Sequence, residues 1–163
     1  MAYEIIDNFL SDEEYQNISD TLLGERFPWY FNDYPVLDGE IDTVYNYQFT
    51  HMFCLNNEST SDYAKLLDPI VEKLGASFVY RIKANLSPST PTNRLGRWHT
   101  DFNIDCKTAV YYVNTNDGFT RFRSGETVPS IANRLVAFDA KDLHVGATAT
   151  DVKARCLINF NYS

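Results

Sequence analysis

Three residues of the sequence could together hold a metal ion. His99 and Asp101 stand two positions apart, and His144 follows much later in the chain. Side chains two apart in a β-strand point to the same face, so the imidazole and the carboxylate would lie side by side. Two histidines and one carboxylate would leave coordination positions open on a bound metal. Each histidine alone is as readily a structural residue, but together the three residues form a candidate metal site.

A cation on the last strand-like segment is the second candidate for chemistry. An arginine inside a pocket needs an anionic partner, and the planar fork of Arg155 suits a carboxylate. Lys153 competes for this role, and we favour Arg155 because of its forked donors. Two sets of side chains alternate along 154–162: a mixed set of Arg155, Leu157, Asn159 and Asn161, and an apolar set of Cys156, Ile158, Phe160 and Tyr162. We expect the mixed face to line a pocket and the apolar face to pack under helices.

The elements that must position these residues are mostly short strands. A helix is predicted over 11–23, where Ser11 and Glu14 form a capping box. A second is predicted over 61–74, where Pro69 either kinks the helix or lies in the first turn of a new one begun at Asp68. We predict a packed loop or edge hairpin over 27–43. Strands are predicted over 3–9, 44–52, 77–86, 95–101, 107–114, 118–123, 125–128, 134–139, 143–147 and 154–162. This spacing favours a β-sandwich or small barrel with flanking helices.

Composition sets limits on the class of protein. A length of 163 residues suits one domain spanning 1–163. The net charge of −8 disfavours nonspecific nucleic-acid binding, because the phosphates would be repelled. No apolar stretch reaches the ~20 residues of a membrane span, and the first ten residues lack the basic charge of a leader. The odd count of three cysteines without a CxxC pair predicts a reduced, cytoplasmic compartment. The sequence gives no indication of oligomeric state.

In their order along the chain, the motifs resemble the Fe(II)/2-oxoglutarate-dependent dioxygenase superfamily. The similarity is greatest to its prolyl 4-hydroxylase-like branch, including the short members found in phage genomes. It rests on His99-x-Asp101, His144 and Arg155, with flanking similarity over 3–11, 110–114, 116–120 and 134–138. The resemblance implies a mainly β fold: a double-stranded β-helix (jelly-roll) barrel with about two N-terminal helices packed on one sheet.

The resemblance also implies a cofactor set. Fe(II) would be held by His99, Asp101 and His144, with 2-oxoglutarate and O2 as cosubstrates. Arg155 would pair with the distal carboxylate of 2-oxoglutarate. Two further residues would contact the cosubstrate: Tyr112 and Asn85.

The activity implied is hydroxylation of a C–H bond in a small molecule or a peptide, with release of succinate and CO2. The tyrosine that prolyl hydroxylases carry on the first barrel strand is replaced here by Leu86 or Ser87, so proline is not assigned as the substrate. Two alternatives remain open. One is a catalytically silent module that binds a metal or a carboxylate on the same fold. The other is a cupin-like isomerase or hydrolase that does not use 2-oxoglutarate.

Candidate substrate contacts lie in the aromatic stretch 29–34, the turn 87–97 and Trp98, although core packing is the simpler role for the first of these. A basic cluster in this acidic chain either attracts an acidic substrate or forms a solvated rim. It consists of Arg81, Lys83, Arg94 and Arg97. His51 is expected to be structural.

Overall fold

The strands of the protein form two antiparallel sheets, as a computed structural model of residues 3–33 and 44–163 shows. The strands are β1 (Glu4–Ile6), β2 (Tyr30–Asp33), β3 (Tyr47–Leu55), β4 (Glu58–Ser59), β5 (Val79–Pro88), β6 (Lys107–Tyr112), β7 (Phe119–Phe122), β8 (Thr127–Pro129), β9 (Arg134–Asp139), β10 (His144–Gly146) and β11 (Ala154–Tyr162). The larger sheet has the order β1-β9-β6-β11-β5-β3-β2, with β4 added to β3, and the smaller has the order β10-β7-β8. The predicted jelly-roll class is confirmed, in the form of two sheets rather than one closed barrel within the described residues.

Each face of the larger sheet covers its own apolar core. On β6, Ala109 and Tyr111 belong to the core under the helices, whereas Val110 and Tyr112 belong to a second core that includes Phe122 of the smaller sheet. Because successive strand residues point to opposite faces, one alternating strand supplies both cores. The larger sheet is therefore the middle layer, between the helices and the smaller sheet.

The alternation predicted for β11 is confirmed. Its apolar set, Cys156, Ile158, Phe160 and Tyr162, lies in the core on the helix side. Three members of its mixed set, Arg155, Leu157 and Asn159, line a cavity between the sheets. The central position of β11, paired with β5 on one side and β6 on the other, holds this face at the middle of the fold.

The helices follow local sequence signals. α1 spans Asp12–Leu22 and begins with the predicted capping box between Ser11 and Glu14. A 3-10 helix, Ala64–Leu67, precedes α2, Asp68–Leu74, and Pro69 lies in the first turn of α2. The chain therefore starts a new helix here instead of kinking one, although Leu67 and not Asp68 is the N-cap residue. None of the helices in the described ranges is long and apolar enough to cross a membrane.

The prediction of a strand over 95–101 is wrong. This segment makes only two single bridges, Leu95 to Ala147 and His99 to His144. Its neighbour β10 is three residues long, so it has little edge to pair with. The side-by-side placement of His99 and Asp101 therefore does not come from a regular strand.

Two further differences concern turns and edges. The sequence reading missed β4, which follows Asn56 and Asn57, both with positive φ, in a tight turn after β3. Consecutive asparagines tolerate the left-handed conformation that such hairpins need. Within 27–43, the hairpin alternative is supported by β2, an edge strand on β3; residues 34–43 lie outside the described residues.

Asn133 joins the chain before α1 to the start of β9. Its Oδ1 accepts hydrogen bonds from the Leu10 amide and the Tyr111 hydroxyl, both at 2.9 Å, and its Nδ2 donates to the Leu10 carbonyl at 2.9 Å. Asn133 also has a φ of 60°.

Asn133→Ala should lower the free energy of unfolding by about 3 kcal/mol, because buried partners lose their hydrogen bonds and alanine disfavours this φ. Urea denaturation measures the change. Tyr111→Phe, which removes one of these bonds, should cost only about 1 kcal/mol; equal losses in the two variants would contradict this account.

Candidate metal and carboxylate site

The structure brings His99, Asp101 and His144 together. One ligand atom from each of the three residues lies within 4.8 Å of the others. Nε2 of His99 is 3.6 Å from Oδ1 of Asp101, and Nε2 of His144 is 4.0 Å from the same oxygen. Two imidazole nitrogens and a carboxylate oxygen therefore converge on one point, as a divalent metal site requires.

Backbone carbonyls orient both imidazoles. Nδ1 of His99 lies 2.8 Å from the carbonyl oxygen of Arg97, and Nδ1 of His144 lies 2.9 Å from that of Asp142. Because a carbonyl can only accept a hydrogen bond, each Nδ1 is the protonated nitrogen and donates. The lone pair of each neutral ring is then on Nε2, the atom that faces Asp101. This is the tautomer that a metal ligand needs.

The Asp101 carboxylate is buried and well supported. Its Oδ2 accepts from the Thr108 hydroxyl at 2.8 Å and from Nδ2 of Asn161 at 2.9 Å, and Arg81 lies 3.6 Å from Oδ1. Burial alone would raise the pKa of Asp101, but these hydrogen bonds, with the positive charge of Arg81 and the interaction with His144, lower it below its usual value. The carboxylate is thus held ionised, with Oδ1 turned toward the histidines.

The two histidines differ in exposure. The side chain of His144, on β10, is 6% exposed, whereas that of His99 is 43% exposed. Burial lowers the pKa of His144, which keeps its ring neutral. Reciprocal backbone hydrogen bonds of 3.0 Å join the two residues. One histidine is therefore fixed inside the fold, and the other lies on an irregular segment at the cavity mouth.

Arg155 is buried beside the same cavity. Its Nε donates to the Ser130 hydroxyl at 2.9 Å, its Nη2 lies 3.4 Å from Oγ1 of Thr120, and its guanidinium stands over the Tyr112 ring at 5.6 Å. Across residues 3–33 and 44–163, no carboxylate lies within 4 Å of this guanidinium. Burial without a counter-ion lowers the pKa of Arg155 and makes an anionic ligand favourable.

Two glycines leave room for this arginine. A Cβ on Gly118 would lie 2.6 Å from Cδ of Arg155, and a Cβ on Gly146 would lie 3.3 Å from its Nη1. Gly146 follows His144 by two residues on β10 and shares its face, so the guanidinium lies about 7 Å along the strand from the histidine position. A five-carbon diacid can bridge such a separation.

A cavity of about 350 Å³ connects the two ends. His99, Asp101, His144 and Arg155 all line it, as does Asn85, whose Oδ1 accepts from Nε2 of Gln48 at 3.3 Å. Five of the six predicted site residues therefore line one cavity. Lys153 is exposed and does not line the cavity, which favours Arg155 as the anion-binding residue.

Tyr112, the sixth predicted site residue, lies behind the wall. Its hydroxyl donates to Oγ1 of Thr120 at 2.8 Å, and Thr120 itself lines the cavity. Since Thr120 accepts from Tyr112 and from Arg155, its own hydroxyl hydrogen is available to a ligand. Sequence reasoning missed Thr120, which no local motif distinguishes. Thr108 and Ser130, which support Asp101 and Arg155, were missed for the same reason.

The other sequence candidates divide between the helix side of the larger sheet and the cavity. Trp29 packs in the helix-side core and donates to the Leu22 carbonyl at 3.1 Å, so its role is structural. His51 is also structural, with its nitrogens 2.7 Å from the Pro28 carbonyl and the Ser61 hydroxyl. Leu86 packs toward the helix-side core, whereas Ser87 lines the cavity. All four members of the basic cluster line the cavity: Arg81, Lys83, Arg94 and Arg97.

Asn161 should set metal affinity without touching the metal. Asn161→Ala removes one of the two hydrogen bonds that orient Asp101, and outer residues of this kind typically contribute 10- to 100-fold to metal affinity. We expect a loss in that range when Zn(II) or Fe(II) is titrated anaerobically, with Asn17→Ala on α1 as the control. Unchanged affinity in Asn161→Ala would show that Asp101 does not need this support.

Comparisons with known proteins give structural but not sequence matches. No family model and no curated relative matches the sequence. A prolyl hydroxylase from Trichoplax adhaerens, solved with a hypoxia inducible factor peptide, matches with a TM-score of 0.67 and 13% identity over 98% of this chain and 82% of that one. The 2-oxoglutarate complex of a viral collagen prolyl hydroxylase from Paramecium Bursaria Chlorella virus-1 matches with a TM-score of 0.65 and 15% identity over 99% and 95%.

A third match has a different reaction in its name. The non-heme alpha ketoglutarate dependent epimerase SnoN from nogalamycin biosynthesis matches with a TM-score of 0.66 and 13% identity, over 99% of this chain and 77% of that one. At these identities the matches concern the fold. The chain therefore has the fold of the prolyl hydroxylases and other 2-oxoglutarate-dependent Fe(II) oxygenases.

Proposed function

We propose that the protein is an Fe(II)- and 2-oxoglutarate-dependent dioxygenase that hydroxylates a C–H bond of its substrate and releases succinate and CO2. The observation that carries the proposal is the pairing of two sites in one cavity. A His-Asp-His cluster lies at one end, and at the other lies a buried arginine that has no carboxylate partner among the described residues. The shared fold of known oxygenases supports the proposal.

The donor set fits Fe(II). Two neutral imidazoles offer Nε2 and one carboxylate offers Oδ1, a combination suited to a metal that keeps coordination positions open for ligands. His99, Asp101 and His144 would hold the ion. When bound, Fe(II) together with 2-oxoglutarate and O2 supplies the oxidising power for hydroxylation.

The other end of the cavity fits the distal carboxylate of 2-oxoglutarate. Arg155 would pair with that carboxylate, and the Thr120 hydroxyl would donate to it. Ser130 and the Tyr112 ring fix the guanidinium before the ligand arrives, so little side-chain entropy is lost on binding. Asn85, which lines the cavity, would contact the cosubstrate. The chain thus orients the diacid along the cavity and excludes water from its charged end.

Asp101→Ala should abolish the metal site. A 2-oxo acid that chelates Fe(II) produces a visible charge-transfer band under anaerobic conditions, and we expect this band in the unmodified protein but not in Asp101→Ala. Succinate formation in air should disappear with it. Normal succinate formation in Asp101→Ala would refute the metal assignment. Iron binding without any 2-oxoglutarate consumption would favour the silent binding module.

Arg155→Met should specifically weaken the binding of 2-oxoglutarate. Loss of a buried charge partner costs at least about 2 kcal/mol, so the half-saturating concentration in the anaerobic titration should rise at least about 30-fold. Binding of 2-oxopentanoate, which lacks the distal carboxylate, should change little. Replacing a buried cation by an apolar chain need not destabilise the fold. Lys153→Met is the matched control, and a larger effect there than in Arg155→Met would reverse the assignment.

A further inference from the structure

The cavity is cationic although the chain is acidic. Against a net charge of −8 for the whole chain, the described residues that line the cavity include a single carboxylate, Asp101. They include five cations: Arg81, Lys83, Arg94, Arg97 and Arg155. Fe(II) and the 2-oxoglutarate dianion carry equal and opposite charges, so their binding would leave this excess of positive charge unchanged. Such a cavity attracts an anion.

Most of these cations already have a role. Arg81 lies 3.6 Å from Asp101, donates to Oδ1 of Asn161 at 3.1 Å and stacks on Phe102. Arg94 stacks on Tyr45 at the mouth. Arg155 would take the distal carboxylate of 2-oxoglutarate.

Lys83 is different. It projects from the middle of β5 and is half-buried, and no carboxylate within the described ranges lies within 4 Å of its ammonium group. Burial, followed by repulsion from Arg81, lowers the pKa of Lys83. An anion placed against the ammonium would relieve both penalties.

A second group without a partner among the described residues lies on the neighbouring strand. Asn159 on β11 is the register partner of Lys83, and its Oδ1 is buried without a hydrogen-bond partner in the described part of the chain. A buried acceptor without a donor costs free energy. Asn159 also lines the cavity, so a turn of its amide toward the cavity would bring Oδ1 to an N–H or O–H of a bound molecule.

We propose that Lys83 and Asn159 form the substrate subsite, and that the substrate carries a carboxylate with an N–H or O–H donor near it. This proposal deepens the proposed function and rests on it. In that function the metal and Arg155 would take the two carboxylates of 2-oxoglutarate, so Lys83 would be available to pair with an acidic group of the substrate. A single ammonium balances one negative charge, which favours a carboxylate over a phosphate. The acid is either free or the side chain of a peptide.

Three matched probes test the subsite by calorimetry. The protein is loaded with Zn(II) in place of Fe(II) and saturated with 2-oxoglutarate, so that no turnover occurs and the Arg155 site is filled. Hippurate offers a carboxylate and an N–H, its amide offers the N–H alone, and 3-benzoylpropionate offers the carboxylate with CH2 in place of N–H. We expect hippurate to bind about tenfold more tightly than either analogue, the effect of one charged or neutral hydrogen bond.

Variants assign each preference to its residue. Lys83→Met should remove the preference for hippurate over its amide, and Lys83→Arg should keep it. Asn159→Leu should remove only the preference for hippurate over 3-benzoylpropionate. Lys65→Met, an exposed lysine far from the cavity in the 3-10 helix, is the control and should change neither. Equal preferences in Lys83→Met and the unmodified protein would overturn the proposal.

Two further arms identify the ligand and the cosubstrate. Inorganic phosphate binding more tightly than hippurate through Lys83 would overturn the carboxylate assignment. An acetylated, amidated pentapeptide with a central Glu is compared with its Gln counterpart. Tighter binding of the Glu peptide would assign the acid to a peptide side chain, and equal binding would assign it to a free acid. A rise in the half-saturating 2-oxoglutarate concentration in Lys83→Met, without a change in probe binding, would assign Lys83 to the cosubstrate and overturn the proposal. If 2-oxoglutarate never binds but the Lys83-dependent preference persists, the proposed function fails and the acid subsite stands.

Discussion

The cost of burying charge governs this cavity. Asp101 and Arg155 are both buried, with the Asp101 side chain only 3% exposed, yet they do not pair with each other. The carboxylate is stabilised within the fold by Thr108, Asn161 and Arg81. The described polar contacts of the guanidinium are two hydroxyls, and an aromatic face lies beside it. One end of the cavity therefore favours a cation held between imidazoles, and the other favours an anion.

The period-2 pattern of β11 carried most of what the sequence could predict. It separated the cavity face from the helix face over nine residues. Successive side chains of a strand point to opposite faces, and only the face that packs against the helices has to be apolar throughout. The capping box at Ser11 and Glu14 was equally readable, since both of its hydrogen bonds are local. Arg155 and the His-Asp-His set emerged from residue type and order.

Support for those residues could not be predicted, because it comes from distant parts of the chain. Asn161 is 60 positions from Asp101, and Ser130 is 25 positions from Arg155. A Ser, Thr or Asn in a strand carries no local sign of such a contact. The failure at 95–101 has the same origin: whether that segment pairs depends on the length of β10, which its own residues do not encode.

The irregular segment 94–101 has an additional consequence. It carries His99 and Asp101, and at its other end Arg94 and Arg97, so two of the candidate metal ligands and the rim of the entrance belong to one stretch of backbone. An ion held by His99 and Asp101 would constrain that stretch, and a molecule in contact with the two arginines would constrain it too. Each binding event would then lower the ordering cost of the other, and thermodynamic linkage would make the benefit mutual.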